Sequence, residues 1–509
     1  MKWLQYFQSL KLRTQYILLF FTGALCTLSF APFYALPIWC VTLPICILSL
    51  KHAPSVRRAG WYGFWFGMGY FCTGLYWFAH ALLIDAVRFG WLIPFAIGGI
   101  SAVLALYHTF MHYVLYHFRH LPNAAFCCLF AVGWLAIEAL RSILLSGFPW
   151  NLAGYSLAAS DILLQIASLA GVWGGSLFVI LLGSMPCWFI GKRIPYMFIT
   201  LIICAAVGLF TFGSNRLKHH QTQYETDAKI RLVQANIKQD LKWDPNARYA
   251  AIQKHLELSR FRLSDDITHI IWSETAMTYP FEEGEFWAEE LAKFAPANGS
   301  LITGVIRAVR SDIADEPPIL YNSLKALSSE GHITAVYDKR KLVPFGEYIP
   351  FRTILPVEKI THGALDFSTG SHHASIDIEG LPPVRPLICY EAIFPYLSRS
   401  AHPAWLLNIT NDAWFGTSTA PYQHFEMSRM RAVEQGSAML RVANSGVSGV
   451  IDAYGRVLKT LPLNESGVID TLLPAAAVEK TLFSRYTKLP VLGVCFILLL
   501  YVFFKRKEI

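Results

Sequence analysis

Eight apolar runs, each close to the length of a membrane-spanning helix, constrain the fold of this chain most strongly. A helix needs about 20 predominantly apolar residues to cross the hydrocarbon core of a bilayer. Of the 509 residues, 54% are hydrophobic and only 15% are charged, which is too apolar for an ordinary soluble protein of this length. We therefore predict a multi-pass α-helical membrane bundle of about eight spans, near residues 16–31, 34–50, 60–83, 90–116, 123–144, 161–190, 194–213 and 487–504.

The charged residues are distributed unevenly between these runs and one long polar stretch, residues 214–486. The polar stretch holds 28 Lys and Arg against 31 Asp and Glu, whereas the rest of the chain holds 15 against 4. The basic surplus therefore belongs to the membrane part and does not indicate nucleic-acid binding. The predicted domains are the first seven transmembrane helices in residues 1–213, a polar domain in 214–486, and the eighth helix with a short tail in 487–509.

The Lys and Arg residues that flank the apolar runs predict the orientation, because cytoplasmic loops are enriched in these two residues. With the N-terminus inside, twelve of them fall in the cytoplasm and three fall outside, namely Arg88, Arg141 and Lys488. We therefore expect a bacterial inner-membrane protein whose polar domain lies in the periplasm. The first run lacks a clear cleavage site, which favours an uncleaved signal anchor over a cleaved signal peptide.

The polar stretch begins a different pattern, in which short runs rich in β-branched residues alternate with helix-like segments. Runs such as 230–233, 267–272, 387–388 and 405–407 have the length and composition of strands. Strands that alternate with helices and then follow one another predict an α/β or α+β sandwich. About 270 residues are enough for one domain with its own core.

Three reactive side chains follow predicted strands or turns of the polar domain. Cys389 is the single cysteine of this stretch and follows the apolar run that ends at Ile388. Glu274 follows Ile270 to Ser273, where partial desolvation would raise its pKa toward that of a general base. Lys339 lies in a basic segment bounded by aromatic residues. Taken singly, they would be an inert buried thiol, a surface glutamate and a solvated charge; together they form the setting of a nucleophilic cysteine.

Other catalytic patterns are absent from the sequence of the polar domain. It contains no glycine-rich phosphate loop, no His-Glu-x-x-His, no Cys-x-x-Cys and no serine in a Gly-x-Ser-x-Gly elbow. We therefore expect neither a metal ion nor a cofactor.

The order and wording of these segments resemble a known group. The order Glu274, Lys339, Cys389 is similar to that of the nitrilase, or carbon–nitrogen hydrolase, superfamily. Longer segments, together with the spans, resemble the bacterial apolipoprotein N-acyltransferase family. These segments are YDKRKLVPFGEYIP at 337–350, NITNDAWFG at 408–416, QH at 423–424 and MRAVE at 430–434. One departure is Ser273, because the family more often has proline before this glutamate.

The resemblance implies an αββα sandwich on the outer face of the bundle and a two-step acyl transfer. Cys389 would attack a phospholipid ester, typically of phosphatidylethanolamine, and hold the acyl chain as a thioester. The α-amine of a diacylglyceryl-cysteine at a lipoprotein N-terminus would then accept the chain. Glu274 would be the base and Lys339 would stabilise the oxyanion. The expected partners are the phospholipid, the apolipoprotein and membrane lipid, and the protein is expected to be a monomer.

Four further residues match family positions near the reacting groups. Glu347 and Glu391 would hold Lys339 or the incoming amine. Trp243 and Tyr390 would line the pocket, and a plain packing role for these two aromatic side chains stays open.

Two other functions use the same sequence features differently. A membrane-tethered, nitrilase-like amidase would use the same three residues with water as the acceptor of the acyl group, but it would not need eight spans. A transporter or binding module with an inactive domain is disfavoured by the intact triad and by the scarcity of acidic residues within the spans.

The segment 343–365 is predicted to be a mobile cover over a pocket that opens toward the bilayer. Its prolines and glycines break regular structure, and an ordinary static loop is the alternative. The side chains expected to face lipid are Phe345, Ile349, Phe351, Ile354 and Leu355.

Overall fold

The computed structural model describes residues 2–190, 196–310, 317–350, 352, 359, 365–371, 375–399 and 403–507. The chain divides into two compact units. The first, called the helical unit, comprises Met1–His220 and Thr481–Ile509, and the second, called the α/β unit, comprises Gln221–Lys480.

The helical unit forms on the apolar runs, because a helix satisfies its backbone hydrogen bonds within one segment and so can be surrounded by lipid. Up to residue 220 its α-helices are α1 Lys2–Ser9, α2 Leu12–Cys26, α3 Trp39–Lys51, α4 Val56–Gly74, α5 Phe78–Leu83, α6 Ala86–Phe89, α7 Ile93–Tyr116, α8 Asn123–Arg141, α9 Asp161–Leu164, α10 Ile166–Ser184 and α11 Tyr196–His219.

The predicted number of about eight spans is not confirmed. Among the described residues, five helices are long and apolar enough to cross a membrane: Ala86–Tyr116, Asn123–Arg141, Ile166–Phe189, Ile199–His219 and Leu489–Lys507. The apolar helix Leu36–Lys51 is shorter. Helix α2 has only 15 residues, which is roughly 22 Å at about 1.5 Å per residue and less than the core of about 30 Å. The first turn of helix α4 contains Arg57 and Arg58, which lower the mean hydropathy of this helix.

Glycines allow two of these helices to approach closely. A Cβ atom on Gly23 of α2 would lie 1.9 Å from the carbonyl oxygen of Phe66, and one on Gly69 of α4 would lie 1.7 Å from that of Phe20. Backbone-to-backbone contact of this kind is how helices pack within a bilayer, where burial of apolar surface gives little net drive. A side chain at either glycine would therefore force α2 and α4 apart.

The α/β unit contains two sheets within the described residues. The strands are β1 Tyr224–Gln234, β2 His269–Trp272, β3 Ser300–Val309, β4 Ile319–Ser328, β5 Ile333–Asp338, β6 Val384–Ile388, β7 Trp405–Thr410, β8 Ala438–Ala443, β9 Ser448–Ile451, β10 Val457–Leu461 and β11 Gly467–Pro474. The strand orders are β11-β1-β2-β3-β4-β5 and β10-β9-β8-β7-β6. The helices are α12 Gln239–Lys242, α13 Arg248–Arg260, α14 Phe286–Ala292 and α15 Ala420–Gln435.

The two sheets pack face to face and helices cover their outer faces. One buried cluster joins Leu232 and Ile302 of the first sheet to Leu407 and Val442 of the second. A second cluster joins the outer face of the first sheet to α13 and α14, and α15 packs against β8 of the second. This is the predicted αββα sandwich, so the fold class is confirmed.

The parallel strands bring several chain segments to the carboxyl ends of both sheets. Strands β1, β2 and β3 run parallel in one sheet, and β6, β7 and β8 run parallel in the other. Glu274 follows β2, Cys389 follows β6, and Asn411 follows β7. Such strand ends are where side chains from distant parts of a sequence meet. The chain then returns to the helical unit through α16 Leu482–Tyr486 and α17 Leu489–Lys507.

Candidate active site

Cys389 occupies a strained turn at the end of β6. It begins the 3₁₀ turn Cys389–Ile393, and its backbone φ is +51°, in the left-handed region that residues other than glycine rarely adopt. Such a conformation costs on the order of 1–3 kcal/mol and persists where surrounding contacts hold it, often at functional sites. Cys389 is partly buried, and its thiol is free of any disulfide bond.

Glu274 is buried and its carboxylate is fixed on both oxygens. Oε1 accepts hydrogen bonds from Asn322 Nδ2 at 2.8 Å and from Lys339 Nζ at 3.3 Å. Oε2 accepts from the backbone N–H of Asn411 at 2.9 Å. The Cys389 thiol lies near enough to this carboxylate for the two groups to interact electrostatically. The Glu274 carboxylate is therefore held by one partner within β4 and by two partners that directly follow β5 and β7.

Gly304 of β3 allows the backbone of the Glu274 turn to pass close to the sheet. A Cβ atom at Gly304 would lie 2.4 Å from the amide nitrogen of Thr275 and 2.6 Å from the carbonyl oxygen of Ser273. Those contacts are shorter than atoms of folded proteins tolerate. Any side chain at Gly304 would therefore displace Glu274.

Lys339 directly follows β5 and is almost fully buried. Its ammonium donates to Glu347 Oε1 at 2.9 Å as well as to Glu274. Its backbone N–H donates to the Asn322 carbonyl at 2.8 Å, and its carbonyl accepts from Gly370 N–H at 2.9 Å. A buried charge is tolerated only when it is paired, and two carboxylates pair this one.

The electrostatics of the three groups differ from the expectation for Glu274. Burial favours its neutral form, but Lys339, Asn322 and Lys242 outweigh burial, and the net shift lowers the pKa of Glu274. The expected rise in pKa is therefore wrong, because the lysine lies within hydrogen-bonding distance. Burial and the negative charge of Glu274 raise the pKa of the Cys389 thiol. The resting site thus holds a carboxylate beside a neutral thiol.

The charge of Lys339 is secured in the same way. Burial would lower the pKa of this ammonium, but Glu347 and Glu274 outweigh it, and the pKa of Lys339 is raised. The lysine is consequently a permanent cation over the physiological pH range. A fixed cation in a water-poor site is suited to stabilise a negative oxygen as it forms.

Glu347 lies in a tight turn that brings it to Lys339. The Val343 N–H donates to Glu347 Oε2 at 2.7 Å, and the backbone of Pro344 bridges that of Tyr348. Asn322 Nδ2 donates to Glu347 Oε1 at 2.8 Å, so one amide group links Glu347 to Glu274. The structure therefore places Glu347 beside Lys339, as the resemblance implied for at least one of the two glutamates.

Glu391 has a different set of partners. Its carboxylate accepts from the backbone N–H groups of Ile388 at 2.7 Å and Arg340 at 2.8 Å, from that of Lys341 at 3.3 Å, and from the Tyr337 hydroxyl at 3.1 Å. Burial raises the pKa of Glu391 although these donors favour its charged form. Glu391 thus ties the segment after β5, which carries Lys339, to the end of β6, which carries Cys389.

Tyr390 and Trp243 lie in less informative positions. Tyr390 is buried, its ring packs edge-on against Phe394 at 5.0 Å, and burial raises the pKa of its hydroxyl. Trp243 ends helix α12 and is half-buried. Both remain candidates for the pocket lining.

The site includes three residues that sequence reasoning missed. Asn322 of β4 and the backbone of Asn411 hold the Glu274 carboxylate, and buried Lys242 donates to the Glu274 carbonyl at 2.9 Å. Burial lowers the pKa of Lys242 to about 8. Asn411 lies in the segment 408–416 that the resemblance used, and Lys242 precedes Trp243. Asn322 has no local signal, because only strand register brings it to the site. In the described part of the chain, no three His, Cys, Asp or Glu side chains are grouped as a metal ion would need.

Most of the predicted cover at 343–365 lies outside the described residues, including Phe351, Ile354 and Leu355. In the described part, the Phe345 side chain is exposed, as expected. Ile349 is buried, so the expectation that it faces lipid is wrong.

Two family models match this chain, one in each unit's part of the sequence. Residues 22–185 match the family model described as the apolipoprotein N-acyltransferase N-terminal domain, and residues 229–482 match that described as carbon–nitrogen hydrolase. A solved structure, Saccharomyces cerevisiae Nit3 of the nitrilase superfamily, aligns with a TM-score of 0.37 at 18% identity and covers 50% of this chain and 93% of its own.

Curated relatives align over nearly the whole chain. Proteins named apolipoprotein N-acyltransferase are 35% identical in Rhodopseudomonas palustris, covering 95% of this chain and 94% of the relative, and 37% identical in Rickettsia bellii, covering 96% and 97%. The relative from Bradyrhizobium diazoefficiens is 36% identical over 92% and 90%. The αββα sandwich and the matching family model define a carbon–nitrogen hydrolase, or nitrilase-type, domain in a chain that also has apolar helices long enough to cross a membrane. The chain belongs to the apolipoprotein N-acyltransferase family, whose members are bacterial membrane enzymes.

Proposed function

We propose that this protein transfers an acyl chain from a phospholipid to the α-amine of a diacylglyceryl-cysteine at the N-terminus of lipoproteins. The observation that carries the proposal is the Cys389 thiol beside the Glu274 carboxylate, with the Lys339 ammonium 3.3 Å from the same carboxylate. Family membership adds the lipid and lipoprotein substrates. The reaction completes lipoprotein maturation.

The first half-reaction acylates Cys389. Glu274 takes the thiol proton while sulfur attacks the ester carbonyl carbon, and the carbonyl oxygen gains the negative charge. The Lys339 ammonium stabilises that oxygen. The intermediate then collapses, the carbon–oxygen ester bond breaks, and Glu274 returns the proton to the departing lysophospholipid alkoxide. The product is a Cys389 thioester.

The second half-reaction uses the same groups in the reverse sense. The neutral α-amine attacks the thioester carbonyl, Glu274 takes the amine proton, and Lys339 again faces the negative oxygen. The carbon–sulfur bond breaks and the proton returns to sulfur. A thioester reacts readily with amines, so one site can serve two large lipid substrates in turn.

Several finer points belong to the same proposal. The acyl donor is phosphatidylethanolamine, and the protein acts as a monomer in the bacterial inner membrane. The catalytic domain, predicted at 214–486 between the membrane parts at 1–213 and 487–509, faces the periplasm in this proposal. The excess of Lys and Arg in the predicted cytoplasmic segments supports this orientation.

A product assay tests the proposal against hydrolysis by the same triad. Purified protein is reconstituted with a phospholipid of defined acyl chains and given a synthetic diacylglyceryl-cysteine peptide. A second peptide, identical but acetylated on its α-amine, is the matched control. We expect N-acylated peptide and a matching amount of lysophospholipid with the free amine, whereas the acetylated peptide should give at most one lysophospholipid per enzyme. Equal release of free fatty acid with both peptides would identify a hydrolase instead.

A further inference from the structure

A buried polar network lies behind Cys389 and contacts its backbone, not its thiol. Nε2 of His424, on helix α15, is 3.1 Å from the Cys389 carbonyl oxygen. A carbonyl can only accept a hydrogen bond, so Nε2 carries the proton and donates it. The residue that holds the proposed nucleophile is therefore itself held in place from the interior of the domain.

The other side of His424 is anchored by charged residues. In the neutral ring with the proton on Nε2, Nδ1 accepts a hydrogen bond from an Arg441 guanidinium nitrogen at 3.1 Å, and Arg441 in turn pairs with Asp412 Oδ2 at 2.6 Å. Asp412 Oδ1 lies 2.9 Å from Nδ1. Burial would raise the pKa of Asp412, but the Arg441 guanidinium outweighs it and lowers that pKa to about 2. Arg441 also donates to Ser428 at 3.0 Å and to Asn408. The imidazole consequently has little freedom to turn.

The contact bears on the conformation of Cys389 because its φ of +51° is unfavourable without support. The peptide unit that contains the Cys389 carbonyl is planar, so fixing that oxygen fixes the plane that follows the residue. One peptide unit further back along the chain, Glu391 accepts the Ile388 N–H at 2.7 Å. The backbone is thus held at the Cys389 carbonyl itself and again at the residue before it, which restricts the direction of the Cys389 Cα–Cβ bond.

We propose that His424, oriented by Asp412 and Arg441, is a positioning residue that aims the Cys389 thiol at the Glu274 carboxylate and the acyl carbonyl. This inference rests on the proposed function, because it assumes that Cys389 is the nucleophile. The competing explanation is that the network only attaches α15 to the sheet. A packing role and a positioning role predict different responses to two amides of nearly equal size.

The test compares His424→Gln with His424→Asn. The glutamine amide nitrogen can occupy the position of Nε2 and donate to the Cys389 carbonyl, whereas the asparagine amide nitrogen reaches only the position of Nδ1. Burial and Arg441 lower the pKa of His424, so an uncharged amide is a fair substitute. Single-turnover acylation of Cys389 by phospholipid is measured at saturating donor, alongside KM and the melting temperature.

We expect His424→Asn to lower the acylation rate by roughly 10- to 100-fold without a matching change in KM, since small errors in placing a nucleophile cost this much. His424→Gln should retain the rate to within about threefold. Equal losses in the two variants would overturn the positioning role. Should His424→Asn fail to fold, the double variant Asp412→Asn/His424→Asn, in which two amides can bond each other, takes its place under the same prediction.

Alkylation of Cys389 by iodoacetamide, followed by peptide mapping, separates this inference from the proposed function. The reagent needs no phospholipid, and mapping distinguishes Cys389 from the cysteines of the helical unit. We expect slower alkylation in His424→Asn, whose thiol no longer meets Glu274, and a nearly unchanged rate in His424→Gln. If wild-type Cys389 never carries an acyl chain, the proposed function fails, while the alkylation comparison still decides the role of His424. Equal alkylation in both variants and the wild type would refute that role.

Discussion

Two buried carboxylates, Glu138 of the helical unit and Glu274 of the α/β unit, are held by partners at very different distances along the chain. In the helical unit, Glu138 accepts from Trp134 Nε1 at 2.9 Å and from the Ala153 N–H at 2.8 Å, and Arg141 donates to the nearby carbonyls of Phe148 and Trp150. All these partners lie within about fifteen residues of the charge. In the α/β unit, Glu274 is held by Lys339, 65 residues away, and by Asn411, 137 residues away.

The contrast separates structural charge from chemical charge. A carboxylate or guanidinium whose partners are local ties one loop to one helix, which stabilises that loop. A carboxylate whose partners come from several strand ends exists as a site only in the folded domain, and burying it is justified only by what it does there. Substitution of a locally held charge such as Glu138 should therefore lower stability, whereas substitution of the groups that meet at Glu274 should slow the chemical step.

Lys339→Met should produce the largest effect. It removes the cation that faces the oxyanion, and we expect a loss of on the order of 10²–10⁴ in single-turnover acylation. Lys325→Met is the matched control, because Lys325 is also a fully buried lysine of the α/β unit but donates to the Phe281 carbonyl and pairs with Glu282. The control should lose stability and keep its rate per folded molecule. Equal rate losses would contradict the contrast.

Glu347→Gln and Glu391→Gln should differ from each other. Glutamine at 347 removes one of two carboxylates that pair Lys339, and we expect a roughly tenfold lower acylation rate with a small change in melting temperature. Glutamine at 391 cannot accept all the donors that Glu391 accepts, so its melting temperature should fall further. Rate and melting temperature measured on both variants check this division, and the reverse pattern would exchange the two assignments.

The pH dependence of acylation should report the coupling of Glu274 to Lys339. Because the pKa of Glu274 is lowered, its carboxylate persists as the pH falls, and the rate should decline only below the usual range of glutamate. In Lys339→Met the attraction between the ammonium and the Glu274 carboxylate is lost. The pH at which the acylation rate declines on the acidic side should therefore rise by about one unit or more. If the acylation rate declined at the same acidic pH in both proteins, Glu274 would not be the group whose protonation causes the decline.

Glu138→Gln should have the smallest effect on chemistry. Trp134 and Ala153 both donate to Oε1, so the amide oxygen can keep both contacts at reduced strength, and we expect a modestly lower melting temperature and a turnover within about threefold of wild type. Turnover per folded molecule in the same membrane preparation is the measurement. A 100-fold loss would move Glu138 from the structural group to the chemical group.

The sequence predicted those features that depend on local pattern. The lengths of the apolar runs predicted membrane helices. The runs rich in β-branched residues predicted the strands, and so showed that Glu274 and Cys389 follow strand ends and that Lys339 precedes a turn. Features that depend on register were not visible: Asn322 lies within β4, and its partners come from elsewhere in the sheet. The pKa of Glu274 was mispredicted because its distance to Lys339 is a property of the fold. The predicted span count is not confirmed, because the helices that end at Cys26 and Lys51 are shorter than the apolar runs that predicted them.

The central claim is that Cys389 carries the acyl chain, and intact-mass analysis tests it most directly. The purified protein is incubated with a phospholipid of defined chain length and no acceptor, with Cys389→Ala in parallel. The account predicts one added acyl mass on the wild type, mapped to Cys389, absent from the variant, and removed by the free-amine lipopeptide but not by its acetylated form. Acyl transfer by Cys389→Ala, or an acyl adduct on another residue, would contradict it.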